Sequence, residues 1–150
     1  MLTHYSQKVV IEEILRCSLN REVVGSFGSK GYAKRPDVLR YPADIIESVK
    51  QGVTSFHFSE ERWKNPLQLD PMLKRSDLED LRLGWDLILD IDSALFEYSR
   101  LAADLVVKAL SYLGIKSISV KFSGNSGFHI AVPLGSFQAK INGRQTRLLF

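Results

Sequence analysis

Two aspartates, Asp90 and Asp92, end an apolar run that reads DLILDID from Asp86 onwards. Residues two apart in a strand project from the same face, so these two carboxylates would stand side by side. Neighbouring carboxylates repel each other unless a cation lies between them. Their oxygens suit Mg²⁺ or Mn²⁺, and two such ions can hold attacking and leaving oxygens in line during nucleotidyl transfer. The alternative is a pair of solvated acids at a strand end.

A second motif, SGNSGFH, follows about thirty residues later. Gly124 and Gly127 permit backbone conformations closed to other residues, and successive amide groups in such a turn can bind an anion. The hydroxyl groups of Ser123 and Ser126 add donors, and His129 begins the next strand on the face opposite its apolar neighbours. The motif predicts a phosphate-binding turn, with a Gly-rich hairpin and a surface histidine as the alternative. Together the two motifs indicate a site for a metal–nucleotide complex.

The elements around these motifs predict an α+β (mixed α/β) fold, with a mixed sheet flanked by helices. Residues 84–92 are typical of a strand, residues 93–113 of a long helix, and residues 116–122 and 128–132 of two further strands. We expect the inward face of the long helix to hold Leu101, Leu105, Ala109 and Tyr112.

The N-terminal half predicts smaller elements. Residues 3–19 and 43–51 read as helices, and residues 53–59 alternate as a strand does. A strand is expected after Arg21, and Ser76 begins a capping box, SDLE, for a short helix.

Composition narrows the class of protein. The 150 residues are 45% hydrophobic and carry a net charge of +3, with the acids concentrated between residues 41 and 92 and the bases on either side. No apolar run could span a bilayer and the N-terminus lacks a secretory signal, so we expect a cytoplasmic protein with no membrane partner. With Cys17 as the single cysteine, a disulfide within the chain and a structural zinc site of several cysteines are excluded.

Lys34, Arg35 and Arg40 lie in a basic segment interleaved with Tyr32 and Tyr41. Basic and aromatic residues together suit single-stranded nucleic acid, and a solvated loop is the alternative.

The combined motifs resemble those of the archaeo-eukaryotic primase superfamily, which includes the DNA primase small (catalytic) subunit and the polymerase domain of bacterial end-joining ligases. The DxD of that family matches Asp90 and Asp92, and its SGxxGxH matches Ser123, Gly124, Gly127 and His129. The resemblance covers residues 20–150.

This resemblance implies template-directed primer synthesis or extension from nucleoside triphosphates on a DNA template. Asp90 and Asp92 would be the catalytic metal ligands for Mg²⁺ or Mn²⁺. Ser123 and His129 would hold the phosphates of the incoming nucleotide, with backbone help around Gly124 and Gly127. A primase large subunit, or the rest of the catalytic domain, would be the protein partner.

Three departures from the family pattern are visible. Ser126 stands where relatives often have Arg or Lys, for which Lys121 could compensate, and the zinc-binding cysteines of many small subunits are missing. A third metal-binding carboxylate is also lacking, because Glu97 and Asp104 are the only acids after Asp92 and both fall in the predicted helix.

We therefore expect residues 1–150 to be the N-terminal portion of one primase-like catalytic domain, without a separate second domain. The alternative is a non-catalytic relative that binds nucleic acid or a subunit. A metal-dependent nuclease would also use paired aspartates, but the SGxxGxH turn disfavours it.

Overall fold

The computed structural model describes residues 1–138, 140–141 and 144–145. It confirms the α+β class, with helices and antiparallel strand ladders. The described helices are α1 (Leu2–Tyr5), α2 (Lys8–Ser18), α3 (Pro42–Lys50), α4 (Arg75–Leu81) and α5 (Phe96–Tyr112). The described strands are β1 (Val23–Ser26), β2 (Ser55–Phe58), β3 (Glu61–Trp63), β4 (Arg82–Trp85), β5 (Leu87–Ile91), β6 (Ser119–Gly124), β7 (Gly127–Val132), β8 (Lys140–Ile141) and β9 (Arg144–Gln145).

The chain divides into two compact units, Met1–Leu83 and Gly84–Phe150, and each is described by itself. The expectation of one undivided domain stays a prediction. Both candidate motifs, DLILDID and SGNSGFH, belong to the second unit, whereas the basic segment around Lys34 belongs to the first.

The first unit is built on the antiparallel pair β1–β2, which runs from Val23 opposite Phe58 to Ser26 opposite Ser55, with α3 in the connection between the two strands. Val23 is buried in a core with Leu39 and Ile45, onto which residues of α1 and α2 also pack. The helix predicted over residues 3–19 is interrupted, because Gln7 adopts an extended conformation between α1 and α2. The predicted capping box at Ser76 is wrong, since α4 already begins at Arg75.

The second unit contains a three-stranded sheet in the order β5–β7–β6. Both outer strands run antiparallel to the central strand β7, so β5 and β6 are parallel to each other and α5 connects them. Because β7 lies between them, this is a split β-α-β arrangement. The two parallel strands are not neighbours, because β7 separates them. The expected mixed sheet is therefore not found among the described ladders whose register is defined, and these are antiparallel.

The predicted inward face of α5 is wrong. Leu101 is 51% exposed, Leu105 57% and Tyr112 92%, whereas the small residues Ser99 and Ala103 are buried. The half-buried Val106, Val107 and Leu110 lie on the same side of the helix as Ser99 and Ala103, so α5 buries this mixed face of small and branched residues. Periodicity located the helix but could not tell which of its two apolar faces packs on the strands.

Candidate metal and nucleotide site

Three chemically active side chains form a row across the sheet. Asp90 of β5 lies opposite His129 of β7, and His129 lies opposite Lys121 of β6. Residues directly opposite each other on paired strands project from the same face. Nε2 of His129 is 3.4 Å from Oδ1 of Asp90, and the side chains are 40% and 70% exposed respectively. The sheet therefore brings together an acid, a histidine and a lysine that are distant in the chain.

The next row of the sheet explains why these side chains face solvent. Phe128 lies opposite Ile91 on one side and Phe122 on the other. The rings of Phe122 and Phe128 lie 5.5 Å apart, and Phe96 of α5 packs on both at 6.0 and 5.8 Å. Because side chains alternate along a strand, anchoring this aromatic row under α5 sends His129 to the opposite face.

The SGNSG segment forms the tight turn between β6 and β7. Gly124 pairs with Gly127, and the register shifts between Phe122 and Gly124, which leaves Ser123 as the extra residue. Gly124 has φ of 105° and Asn125 has φ of 51°, so Gly124 is required for its conformation.

Gly127 is required for a different reason. A Cβ atom at Gly127 would lie 2.5 Å from Oγ of Ser123, 3.2 Å from the carbonyl oxygen of Ile91 and 3.3 Å from Oδ1 of Asp92. The absence of a side chain there lets the turn approach the end of β5. Oγ of Ser123 and Oδ1 of Asp92 thereby both lie beside Gly127, and their shared role in binding a metal–nucleotide complex stays a prediction.

Ser126 attaches the turn to the acidic strand end. Its side chain is buried, and its hydroxyl donates to the carbonyl oxygen of Ser93 at 2.6 Å and lies 3.3 Å from Oδ1 of Asp92. A hydroxyl has one proton to donate, and here that proton is directed into the protein. Ser126 therefore holds the turn against the end of β5. Its contact with a phosphate stays a prediction.

A polar cavity of about 300 Å³ lies where the turn meets the start of the connection to α5. It is lined by Asp92, Ser93, Ala94, Asn125 and Ser126. Asn125 was not singled out from the sequence, although an Asn that follows a glycine in a small-residue turn is typical of a position with positive φ. Asp92 lines this shallow cavity, whereas Asp90 is absent from its lining and stands on the exposed face of the sheet.

The donor set suits a hard divalent cation. Asp90 and Asp92 are exposed carboxylates, and Mg²⁺ is usually bound through one or two carboxylates together with substrate phosphates and water. Within the described residues no group of three or more His, Cys, Asp or Glu side chains converges. Glu97 and Asp104 bind Arg100 and Lys108 along α5, at 2.9 and 2.6 Å.

The three cations predicted to contact nucleic acid lie in the first unit and differ in their surroundings. Lys34 is exposed. Arg35 binds the buried carboxylate of Glu22 through Nε at 2.7 Å and Nη2 at 2.5 Å, which gives it a structural role. Arg40 lines a cavity together with Lys64.

An aromatic contact on the same unit was not predicted. The ring of Tyr32 is 63% exposed and packs edge-on against His57, with ring centres 5.3 Å apart. The sequence contains both residues, but only the fold brings them together. Tyr32 pairs with Ser26 of β1, and β1 pairs with β2, which carries His57.

Comparison with known proteins gives one relative without an assigned activity. No protein-family model matches the chain. An uncharacterized protein of Methanocaldococcus jannaschii is 29% identical over 107 residues, which are 69% of this chain and 22% of that protein. The chain therefore spans about a fifth of the length of the relative that it matches. No helix in the described part of the chain has the length and apolar character needed to cross a bilayer.

Proposed function

We propose that the chain carries the metal- and nucleotide-binding part of a primase-like nucleotidyltransferase. The observation that carries the proposal is the row of Asp90, His129 and Lys121, with Asp92 and the glycine turn at the same end of the sheet. The carboxylate of Asp90, for a divalent cation, stands beside His129 and Lys121, which we assign to the triphosphate, on one solvent-exposed face of the sheet.

In this proposal each side chain has a defined part. Asp90 and Asp92 hold Mg²⁺ or Mn²⁺, which when bound neutralises charge on the triphosphate. His129 donates to a phosphate oxygen, Lys121 adds a positive charge beside it, and the turn contributes backbone donors around Gly124. The reaction forms a bond from a primer 3′-hydroxyl to the α-phosphorus and releases pyrophosphate, with DNA as template.

The second candidate is a relative that binds nucleotide, nucleic acid or a subunit without turnover. It is favoured by one observation: the described residues bring no third carboxylate to Asp90 and Asp92. A primase large subunit, or further residues of the catalytic domain, would be the partner in either case.

The proposal is tested by titrating the chain with ATP and Mn²⁺ in a calorimeter. We expect saturable binding that falls at least about tenfold in Asp90→Asn with Asp92→Asn, and likewise in His129→Ala, since each removes a charged or hydrogen-bonding contact to the complex. Glu97→Gln with Asp104→Asn is the matched control, because it removes the same charge from the exposed side of α5. Equal binding by all variants, or none by the folded wild type, would refute the proposed site.

A primer-extension assay on a DNA template then separates the two candidates. Template-dependent incorporation that depends on Asp90 and Asp92 supports the nucleotidyltransferase. Binding of ATP and Mn²⁺ without incorporation supports the non-catalytic relative.

A further inference from the structure

The first unit contains a cavity of about 480 Å³ that is lined by residues of that unit alone. Its walls come from the end of α2, from residues 38–40 and from residues 64–66. Three of the residues that line it are cationic, Arg21, Arg40 and Lys64, and none is acidic. A concave surface with one sign of charge concentrates ligands of the opposite sign.

The walls of this cavity are fixed by backbone hydrogen bonds. The amide of Trp63 donates to the carbonyl oxygen of Asn20 at 2.7 Å, and the amide of Lys64 to that of Leu81 at 2.8 Å. On the other side, the amides of Arg40 and Tyr41 both donate to Oδ2 of Asp44 at 2.8 Å. The Cα atoms of Arg40 and Lys64 are therefore held in place before any ligand arrives.

Arg21 has a structural partner, because its Nη1 donates to the carbonyl oxygen of Ser59, whereas Arg40 and Lys64 are not explained by the nearby helix end. Helix termini leave carbonyl groups that basic side chains often satisfy. Here the carbonyl oxygens of Ser18 and Asn20 already accept from the backbone amides of Arg21 and Trp63. The carboxylate of Asp44 is likewise occupied by two backbone amides.

The rest of the lining is apolar. Leu15, Leu19, Val38, Leu39 and Pro66 contribute to it. A volume of several hundred Å³ is typical of a small-molecule site and exceeds what a single inorganic ion fills. A cavity that has both cationic side chains and an apolar lining suits a ligand with an anionic group at one end and an uncharged body.

We propose that this cavity binds a phosphate group carried on an organic body, with Arg40 and Lys64 as its main ligands. Arginine matches phosphate through paired hydrogen bonds, and lysine adds a mobile point charge. Mononucleotides and the backbone of single-stranded nucleic acid both carry this chemistry. The site requires neither Asp90 nor a divalent metal, so it is independent of the proposed nucleotidyl transfer.

The test uses the whole chain in EDTA, titrated with AMP and separately with a dT12 oligonucleotide. EDTA removes the divalent metal that the DxD site needs in order to bind a nucleotide, so the binding that remains is assigned to the cavity. We expect AMP or dT12 to bind the wild type and to bind Arg40→Gln with Lys64→Gln at least about tenfold more weakly. Lys74→Gln with Lys116→Gln, two exposed cations outside the cavity, removes the same charge and should bind like the wild type.

A second measurement locates the ligand directly. In ¹H–¹⁵N spectra, binding should shift the amides of residues 19–21 and 38–40 in the wild type, and not in the double variant. Tighter binding of AMP than of dT12 would identify a mononucleotide as the occupant, and the reverse would identify a nucleic-acid backbone. The proposal is overturned if neither probe binds, if both double variants bind equally, or if the shifted amides lie elsewhere.

Discussion

The ion pair between Arg35 and Glu22 offers a sharp test of the first unit. The Glu22 side chain is 9% exposed, and Arg35 supplies both of its charged hydrogen bonds, at 2.7 and 2.5 Å. Removing one partner of a fully buried pair costs about 3–5 kcal/mol, because the other charge stays buried alone. The Arg35 side chain is 63% exposed, so water can partly replace it, and we expect Arg35→Ala to cost about 2 kcal/mol.

The assay is urea unfolding followed by far-ultraviolet circular dichroism and by the fluorescence of Trp63, which is buried in the same unit. A loss of about 2 kcal/mol corresponds to a midpoint lowered by about 1–2 M urea for a unit of this size. Arg75→Ala is the matched control, since its pair with Glu79 is exposed on α4 and should contribute no more than about 0.5 kcal/mol.

A double variant checks the cause. Adding Glu22→Gln to Arg35→Ala removes the buried carboxylate charge that has lost its partner, so about half of the lost stability should return. The reasoning is refuted if Arg35→Ala costs no more than Arg75→Ala, or if the double variant is as unstable as Arg35→Ala alone.

Three further predictions use other features. Gly127→Ala should destabilise the second unit by about 1–2 kcal/mol in thermal unfolding, because its methyl group meets the packed turn, whereas Gly135→Ala has open space and should be neutral. Ser99→Ala should raise stability by about 0.5–1 kcal/mol, because its buried hydroxyl has no hydrogen-bond partner among the described residues. Ser18→Ala should lower stability by a similar amount, since that hydroxyl donates within α2; equal effects would contradict the contrast. Burial, together with a nearby carboxylate, raises the pKa of the Cys17 thiol, so at pH 8 it should react with iodoacetamide more slowly than N-acetylcysteine amide, and a faster reaction would refute this.

The strand-turn-strand part of the candidate site could be predicted from sequence because its signals are local. Alternation fixed the face of Asp90 and of His129, and two glycines marked the turn. The sequence could not show that β7 inserts between β5 and β6, because strand order depends on pairing between distant segments. That order, and not the spacing of either motif, brings Asp90 against His129.

The error in the inward face of α5 has an equally physical origin. α5 carries apolar residues around most of its circumference, so periodicity allows more than one face to pack inward, and the fold buries the one with Ser99 and Ala103. The partner of Arg35 was equally hidden, because Glu22 lies thirteen residues away and is joined to it only by the fold; the contact of Arg35 with nucleic acid stays a prediction. Both cases show tertiary packing deciding between local alternatives that the sequence leaves open.

The split arrangement of the sheet has a consequence for the order of folding. The β6–β7 hairpin joins neighbouring residues and can close within microseconds, whereas pairing β5 with β7 must first close a loop that contains all of α5. Lys121 and His129 therefore meet early, and Asp90 joins them only when the slower, non-local ladder forms. During refolding, we expect the binding of ATP and Mn²⁺ proposed above to return only once the β5–β7 ladder has formed.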